Sequence, residues 1–109
     1  MKKWLSFFTS IFSFSPTNDK AYFNRGFSKE KRKDYYGAIA DYNEAIKLND
    51  SVGEHYFNRG MLKYDLGKTK EACLDFKKAK ELNYDSKKAE QLGYEDVSKY
   101  SNLNCPWTR

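Results

Sequence analysis

From Asp19 onward the apolar positions of this chain recur three and four residues apart, the spacing that gathers side chains on one face of an α-helix. Turn chemistry interrupts the pattern at regular points. The periodicity predicts a first helix over Asp19–Arg32, with Asn18 or Asp19 as N-cap, and a second over Tyr35–Leu48 after a break at Lys33–Asp34. A third is predicted over Glu54–Leu66 and a fourth over Thr69–Leu82, with Gly67 between them free to take a positive φ. A fifth, Lys87–Tyr100, would turn Ala89, Leu92 and Val97 inward. The chain reads as all-α.

The helices come in pairs, and the pairs repeat. AYFNRG (Ala21–Gly26) returns as HYFNRG (His55–Gly60), and DYNEAIKLN (Asp41–Asn49) returns as DFKKAKELN (Asp75–Asn83). Setting residues 19–52 against 53–86 aligns 11 identities in 34 positions without a gap. A fixed period of this size marks a stacked architecture, in which one unit cannot bury its own apolar face and each leans on the next. Gly26 and Gly60 fall in mid-helix, where glycine costs about 1 kcal/mol relative to alanine, so close packing is the expected reason for both. Their expected neighbours are Ala38 and Ala45 in one unit, Ala72 and Ala79 in the other. Tyr22, Ile39, Tyr42 and Leu48, then Tyr56, Cys73, Phe76 and Leu82, are expected to fill the remaining space.

On these residues the unit resembles the tetratricopeptide repeat (TPR), a helix–turn–helix of this length. Tyr22, Gly26, Ala38, Tyr42 and Ala45 match that family's aromatic and small positions in the first unit, and Tyr56, Gly60, Ala72, Phe76 and Ala79 match them in the second. Arg25 and Arg59 stand where the family usually has leucine, and Asp50 and Tyr84 where it usually has proline. The resemblance implies a short right-handed superhelical stack of two units closed by a C-terminal cap helix. The expected organisation is an N-terminal segment over 1–18, repeats over 19–52 and 53–86, a cap helix over 87–100 and a tail over 101–109. Two units fall below the usual three for independent stability, so modest stability, help from the N-terminal segment, or self-association is expected.

In that family the first helix of each unit lines a concave groove that receives a peptide or helix of a partner. Carried over, the lining is Lys20, Phe23, Phe27, Glu30 and Lys31, then Glu54, Phe57, Met61, Tyr64 and Asp65, with Lys88 and Gln91 beyond. Asn24 and Asn58 could bond a peptide backbone on both sides of their amides. The expected partner-binding set is therefore Phe23, Asn24, Phe27, Phe57, Asn58, Met61, Tyr64 and Lys88. The competing reading of Phe23, Phe57 and Met61 is simple packing between units or against the N-terminal segment. The clamp by which some members hold acidic C-terminal tails is not expected, because Phe23, Phe27 and Leu92 occupy three of its five places and only Asn58 and Lys88 fit.

Composition changes this picture little. The formal charge of +5 and pI near 9.1 mix twenty basic with fifteen acidic residues, the balance of an ordinary solvated helix surface. The basic run Lys29–Lys33 ends a helix, where cations complement the helix C-terminus. Its functional alternative is nucleic acid or anionic lipid, with Tyr35 and Tyr36 as stacking surfaces. Cys73 reads as a buried inert thiol and Cys105 as exposed in an irregular tail, and no geometry in the sequence supports a disulfide between them. His55 has no ligand set around it, so neither a metal nor a cofactor is expected. No Gly-rich phosphate loop, nucleophile with a base, or carboxylate pair with a reason for a perturbed pKa is present, and an enzyme is not expected.

The first residues can be read two ways. Lys2 and Lys3 precede an apolar stretch from Trp4 to Phe14, then Pro16. The stretch is short of the ~20 residues a membrane-spanning helix needs but fits a signal or membrane-targeting segment over 1–15. Alternatively, Trp4, Leu5, Phe7, Phe8, Ile11 and Phe12 form one face of a retained packing helix. The first reading implies an exported or membrane-associated protein, the second a cytoplasmic one. The function expected overall is a non-catalytic module that binds a protein or peptide partner. A self-associating homo-oligomeric subunit is the alternative, and the anionic-polymer binder the weaker one.

Overall fold

The structure, a computed structural model, describes residues 18–100 together with Cys105. The expectations for the N-terminal segment, and for the tail apart from Cys105, lie outside the described residues. Helix α1 runs over Asp19–Lys31, α2 over Tyr35–Leu48, α3 over Gly53–Asp65 and α4 over Thr69–Glu81. Asn18 caps α1 by accepting from the Ala21 N–H at 2.8 Å, and Asp34 caps α2 by accepting from Gly37 N–H at 3.1 Å. Between α1 and α2, Lys33 adopts φ 65°, and between α3 and α4 Gly67 adopts φ 83°. The same place in each unit therefore needs the left-handed conformation, which only Gly67 takes without a steric penalty.

The helices pack as antiparallel hairpins, α1 with α2 and α3 with α4, joined along α2 and α3. One cluster, of Ala38, Tyr42 and Leu62 with Phe23, Tyr35 and Ile39 against it, fills the junction between units. The other gathers Phe57, Met61, Ala79, Tyr84, Ala89, Val97 and Tyr100 at the C-terminal end of the second unit. The mid-helix glycines are explained by close approach, to the expected Ala38 and also to Tyr42 at Gly26, and to Phe76 and Asp75 in place of the expected alanines at Gly60. A Cβ at Gly26 would stand 2.8 Å from Tyr42 Cε1 and 3.2 Å from the Ala38 carbonyl oxygen; at Gly60 it would meet Phe76 and Asp75 at 3.0–3.1 Å. An aromatic ring lies over each glycine, and Ala38, Ala45, Ala72 and Ala79 are all fully buried. Leu48, expected in the core, is exposed because it ends α2 where the chain leaves for the next unit.

The C-terminal part departs most from expectation. In place of one helix over Lys87–Tyr100 there is a short α5 over Ser86–Gln91, then a turn through Gly93 (φ 95°) and Asp96 (φ 54°), then a 3₁₀ turn over Ser98–Tyr100. Ala89 and Val97 are buried as expected, but Leu92 is exposed at the point of reversal. After α5 the chain folds back on the second unit. Tyr100 lies 5.5–6.3 Å, centroid to centroid, from Phe57, Tyr64 and Phe76. Cys105, expected exposed, is buried and joined to Cys73 of α4 by a disulfide, their Cα atoms 5.7 Å apart. The reversal after α5 is what brings the two cysteines within bonding reach. Among the described residues no helix is long and apolar enough to cross a membrane.

Candidate functional site

The first helix of each unit supplies one wall of a concave surface. On α3 the residues Glu54, Asn58, Met61 and Asp65 succeed one another at three- and four-residue steps and so share a face. Phe27, Glu30 and Lys31 do the same on α1. The returning segment from Leu92 to Tyr100 makes the far wall, and the three enclose a cleft of about 780 Å³. Phe27, Met61, Leu62, Val97 and Tyr100 supply the apolar part of its lining, and Glu30, Glu54, Asp65, Glu95, Asp96, Lys31 and Lys99 line it beside them.

Tyrosine hydroxyls fix the carboxylates. Tyr42 Oη donates to Glu30 Oε1 at 2.8 Å, Tyr94 and Tyr84 donate to Glu54 Oε2 at 2.9 and 3.2 Å, and Tyr100 donates to Asp65 at 3.1 Å. Burial, reinforced by the carboxylates beside them, raises the pKa of all four phenols, so each stays a protonated donor. Glu30 is itself pushed above the ordinary carboxylate value by burial, an effect that the Tyr42 hydrogen bond only partly offsets. Asn58 Nδ2 donates to Tyr94 Oη at 3.2 Å.

The structure brings only part of the expected set together. Phe27 and Met61 line the cleft, Phe27 meeting Tyr94 edge-on at 6.2 Å. Phe23 leans instead on Tyr42 and His55, at 5.4 and 5.2 Å. Phe57 is in the core against Phe76, Tyr84 and Tyr100, and Asn58 is fully buried, so neither offers surface to a partner. Tyr64 is half-buried against Tyr100. Asn24 on α1 and Lys88 on α5 are exposed but outside the cleft. Phe57 and Met61 thus lie in one core cluster and Phe23 packs against the other, as the packing reading has it, while Phe27, with Met61, borders the cleft. Tyr94, Val97 and Tyr100 were not expected at the site; Gly93, a turn signal inside a supposed helix, was the available clue.

The basic run is not one patch. Lys29 pairs with Asp41 at 3.2 Å and Lys31 lies over the Phe27 ring at 4.9 Å, while Arg32 and Lys33 are exposed. His55 is buried and hydrogen-bonds Asp19 Oδ2 through Nε2 at 2.9 Å, joining the start of α1 to α3. Among the described residues no three His, Cys, Asp or Glu side chains are grouped to hold a metal ion.

Paired helices stacked in successive units define a helical-repeat protein. Two tetratricopeptide-repeat profiles match the chain, over residues 19–51 and 54–86. They span more than half of it, and the chain belongs to the tetratricopeptide repeat family. A search of curated proteins finds no match. Repeats of this family generally mediate protein–protein interaction and typically form non-catalytic scaffolds.

Proposed function

We propose that this chain receives a segment of a partner polypeptide in the cleft between α1, α3 and the returning C-terminal segment. The observation that carries the reading is the cleft itself, about 780 Å³ of concave space lined by Phe27 and Met61 on the face where the first helices meet. Phe27 is the half-buried apolar anchor and Met61, largely buried, the adaptable floor beneath it. Phe57 and Asn58 support the site from beneath, with Phe23 and Asn24 continuing along α1, and Tyr64 and Lys88 standing at its margins. The covered end of the second unit favours a partner over endless stacking of copies, because Tyr100 already fills the aromatic surface there.

Crosslinking capture from native extract, comparing wild type, Phe27→Ala and Tyr36→Ala, tests this. Tyr36 is 67% exposed on α2, away from the cleft. A partner held by wild type and Tyr36→Ala but lost with Phe27→Ala is the expected result. Capture of only further copies of this chain, or of the same proteins by all three forms, would overturn the reading.

A further inference from the structure

The charge of the cleft runs against the charge of the chain. The sequence carries a formal +5, yet the cleft sets five carboxylates against Lys31 and Lys99. Lys99 is already drawn to Asp65 at 3.7 Å, and Lys31 lies over the Phe27 ring. Among the described residues no ion pair reaches Glu30, Glu54, Glu95 or Asp96. Glu30 and Glu54 are held in fixed positions by the tyrosine hydroxyls. Fixed acceptors in a half-enclosed site receive a cation without reorganising, and the site's lower effective dielectric strengthens the attraction.

Asn58 gives an independent indication. It sits in the middle of the α3 face whose other members, Glu54, Met61, Leu62 and Asp65, line the cleft. Its side chain is fully buried, its Nδ2 is bonded to Tyr94, and its Oδ1 has no partner among the described residues. Buried acceptors in folded proteins are nearly always paired.

Taking the concave-face reading above as its basis, we propose that the occupant of the cleft is an extended, basic segment of a partner polypeptide. A lysine or arginine of that segment is received by Glu30 and Glu54. The apolar lining suits such a residue, because its long stem packs on Phe27 and Met61 while the cation reaches the carboxylates. A simple polyamine would leave that lining unused.

Two labelled peptides on the full-length chain distinguish the outcomes by fluorescence anisotropy: a Lys–Phe–Gly repeat and its Glu–Phe–Gly counterpart, with spermine as competitor. Net charge alone would favour the acidic peptide, so the comparison is discriminating. The basic peptide is expected to bind about tenfold tighter or more, and to weaken with added salt. Glu54→Gln is expected to reduce binding about tenfold, and the Glu95→Gln/Asp96→Asn pair on the exposed rim about threefold, whereas Glu44→Gln on α2 leaves it unchanged. The rim pair makes no side-chain bond to the described structure, so it tests the proposal even where Glu54→Gln disturbs Tyr84 and Tyr94. Equal or tighter binding of the acidic peptide, equal losses in Glu44→Gln, or displacement by spermine at matched charge would each overturn the proposal. If the basic peptide fails while capture of a partner still depends on Phe27, this inference falls and the concave-face reading stands.

Discussion

Arg25 and Asp41 face one another across the first helix pair as a two-point ion pair, with Nε 2.9 Å from Oδ2 and Nη2 2.8 Å from Oδ1. Arg59 and Asp75 repeat the arrangement in the second unit at 2.9 and 2.6 Å. A lysine joins each pair, Lys29 at 3.2 Å and Lys63 at 3.5 Å. The departure from the family's leucine is therefore matched by a buried aspartate one helix away, and the fork of the guanidinium suits that carboxylate. Removing the arginine strands the aspartate. Arg59 is 18% exposed, and Arg59→Leu is expected to cost about 2–3 kcal/mol. Arg25 is 43% exposed, so water screens the pair and Arg25→Leu should cost only about 1 kcal/mol. Urea denaturation measures both, and a larger loss at Arg25 would contradict this account.

The first of these pairs also sets an acid limit. Burial alone would raise the Asp41 pKa, but the Arg25 and Lys29 hydrogen bonds outweigh it and hold the carboxyl below its ordinary value. Asp19 is lowered too, chiefly by its hydrogen bond with His55. A depressed folded pKa contributes stability that is fully present above the unfolded value, about 3.9, and lost as pH falls through the folded one. The melting temperature should therefore fall below about pH 4. Asp41→Asn should be less stable at neutral pH and show a shallower acid decline. An unchanged slope would remove Asp41 from the explanation.

Glu30 has the opposite sign. Burial raises its pKa despite the Tyr42 hydrogen bond, so the folded protein resists ionising it. Its penalty is absent while the carboxyl is protonated and grows as pH rises through the folded value. Glu30→Gln, which keeps an acceptor for Tyr42, should melt higher than wild type at pH 7 and lose that advantage toward pH 4. The same substitution should weaken a basic ligand, because stability and binding draw on one charge in opposite directions.

Gly26 and Gly60 give a steric prediction. Alanine would gain about 1 kcal/mol of helix propensity at either site, but its Cβ would come within 2.8 Å of the Tyr42 ring at Gly26 and 3.0 Å of the Phe76 ring at Gly60. Tyr42 cannot yield easily, since it is fully buried and its hydroxyl is tied to Glu30. Gly26→Ala should cost about 1–3 kcal/mol net. Gly60→Ala should cost less, Phe76 being only half-buried. Equal thermal shifts in the two variants would show that the ring contacts do not control the outcome.

These sites show why the repeats were legible in the sequence and the cleft only partly so. Tyr22, Gly26, Ala38, Tyr42 and Ala45 and their counterparts are fixed by local periodicity and by contacts repeated in each unit, so two in-phase copies reveal them. The four long helices follow their expected bounds to within a residue. Phe57 and Asn58 carry the same periodic signal as Phe27, and what separates them is the chain after Gln91. That segment occurs once, without a repeat to read it against. Its reversal depends on Gly93 and Asp96 taking positive φ and on Tyr94 and Tyr100 finding partners far away in sequence. Periodicity does not encode such contacts, and Cys105 beside Cys73 is one of them.

That disulfide gives the C-terminal segment its own stability test. Cys73 and Cys105 are 32 residues apart in sequence, and closing a loop of that size restrains the unfolded chain by about 3–4 kcal/mol. Within the fold the bond anchors the chain beyond Tyr100 to α4, and so supports Tyr100 over Phe57, Tyr64 and Phe76. Cys105→Ser, or reduction of the wild type, should lower the melting temperature and raise amide exchange most over Tyr94–Tyr100, with α1 and α2 still protected. Releasing Tyr100 also bares the aromatic end of the second unit, so the reduced protein should sediment as a concentration-dependent mixture while the oxidised form does not. If exchange over Tyr94–Tyr100 does not change, tyrosine packing alone holds the far wall of the cleft and the disulfide is incidental to it. If exchange rises there and the cleft loses its ligand as well, the wall and the binding site are one structure, and the bond that closes the first maintains the second.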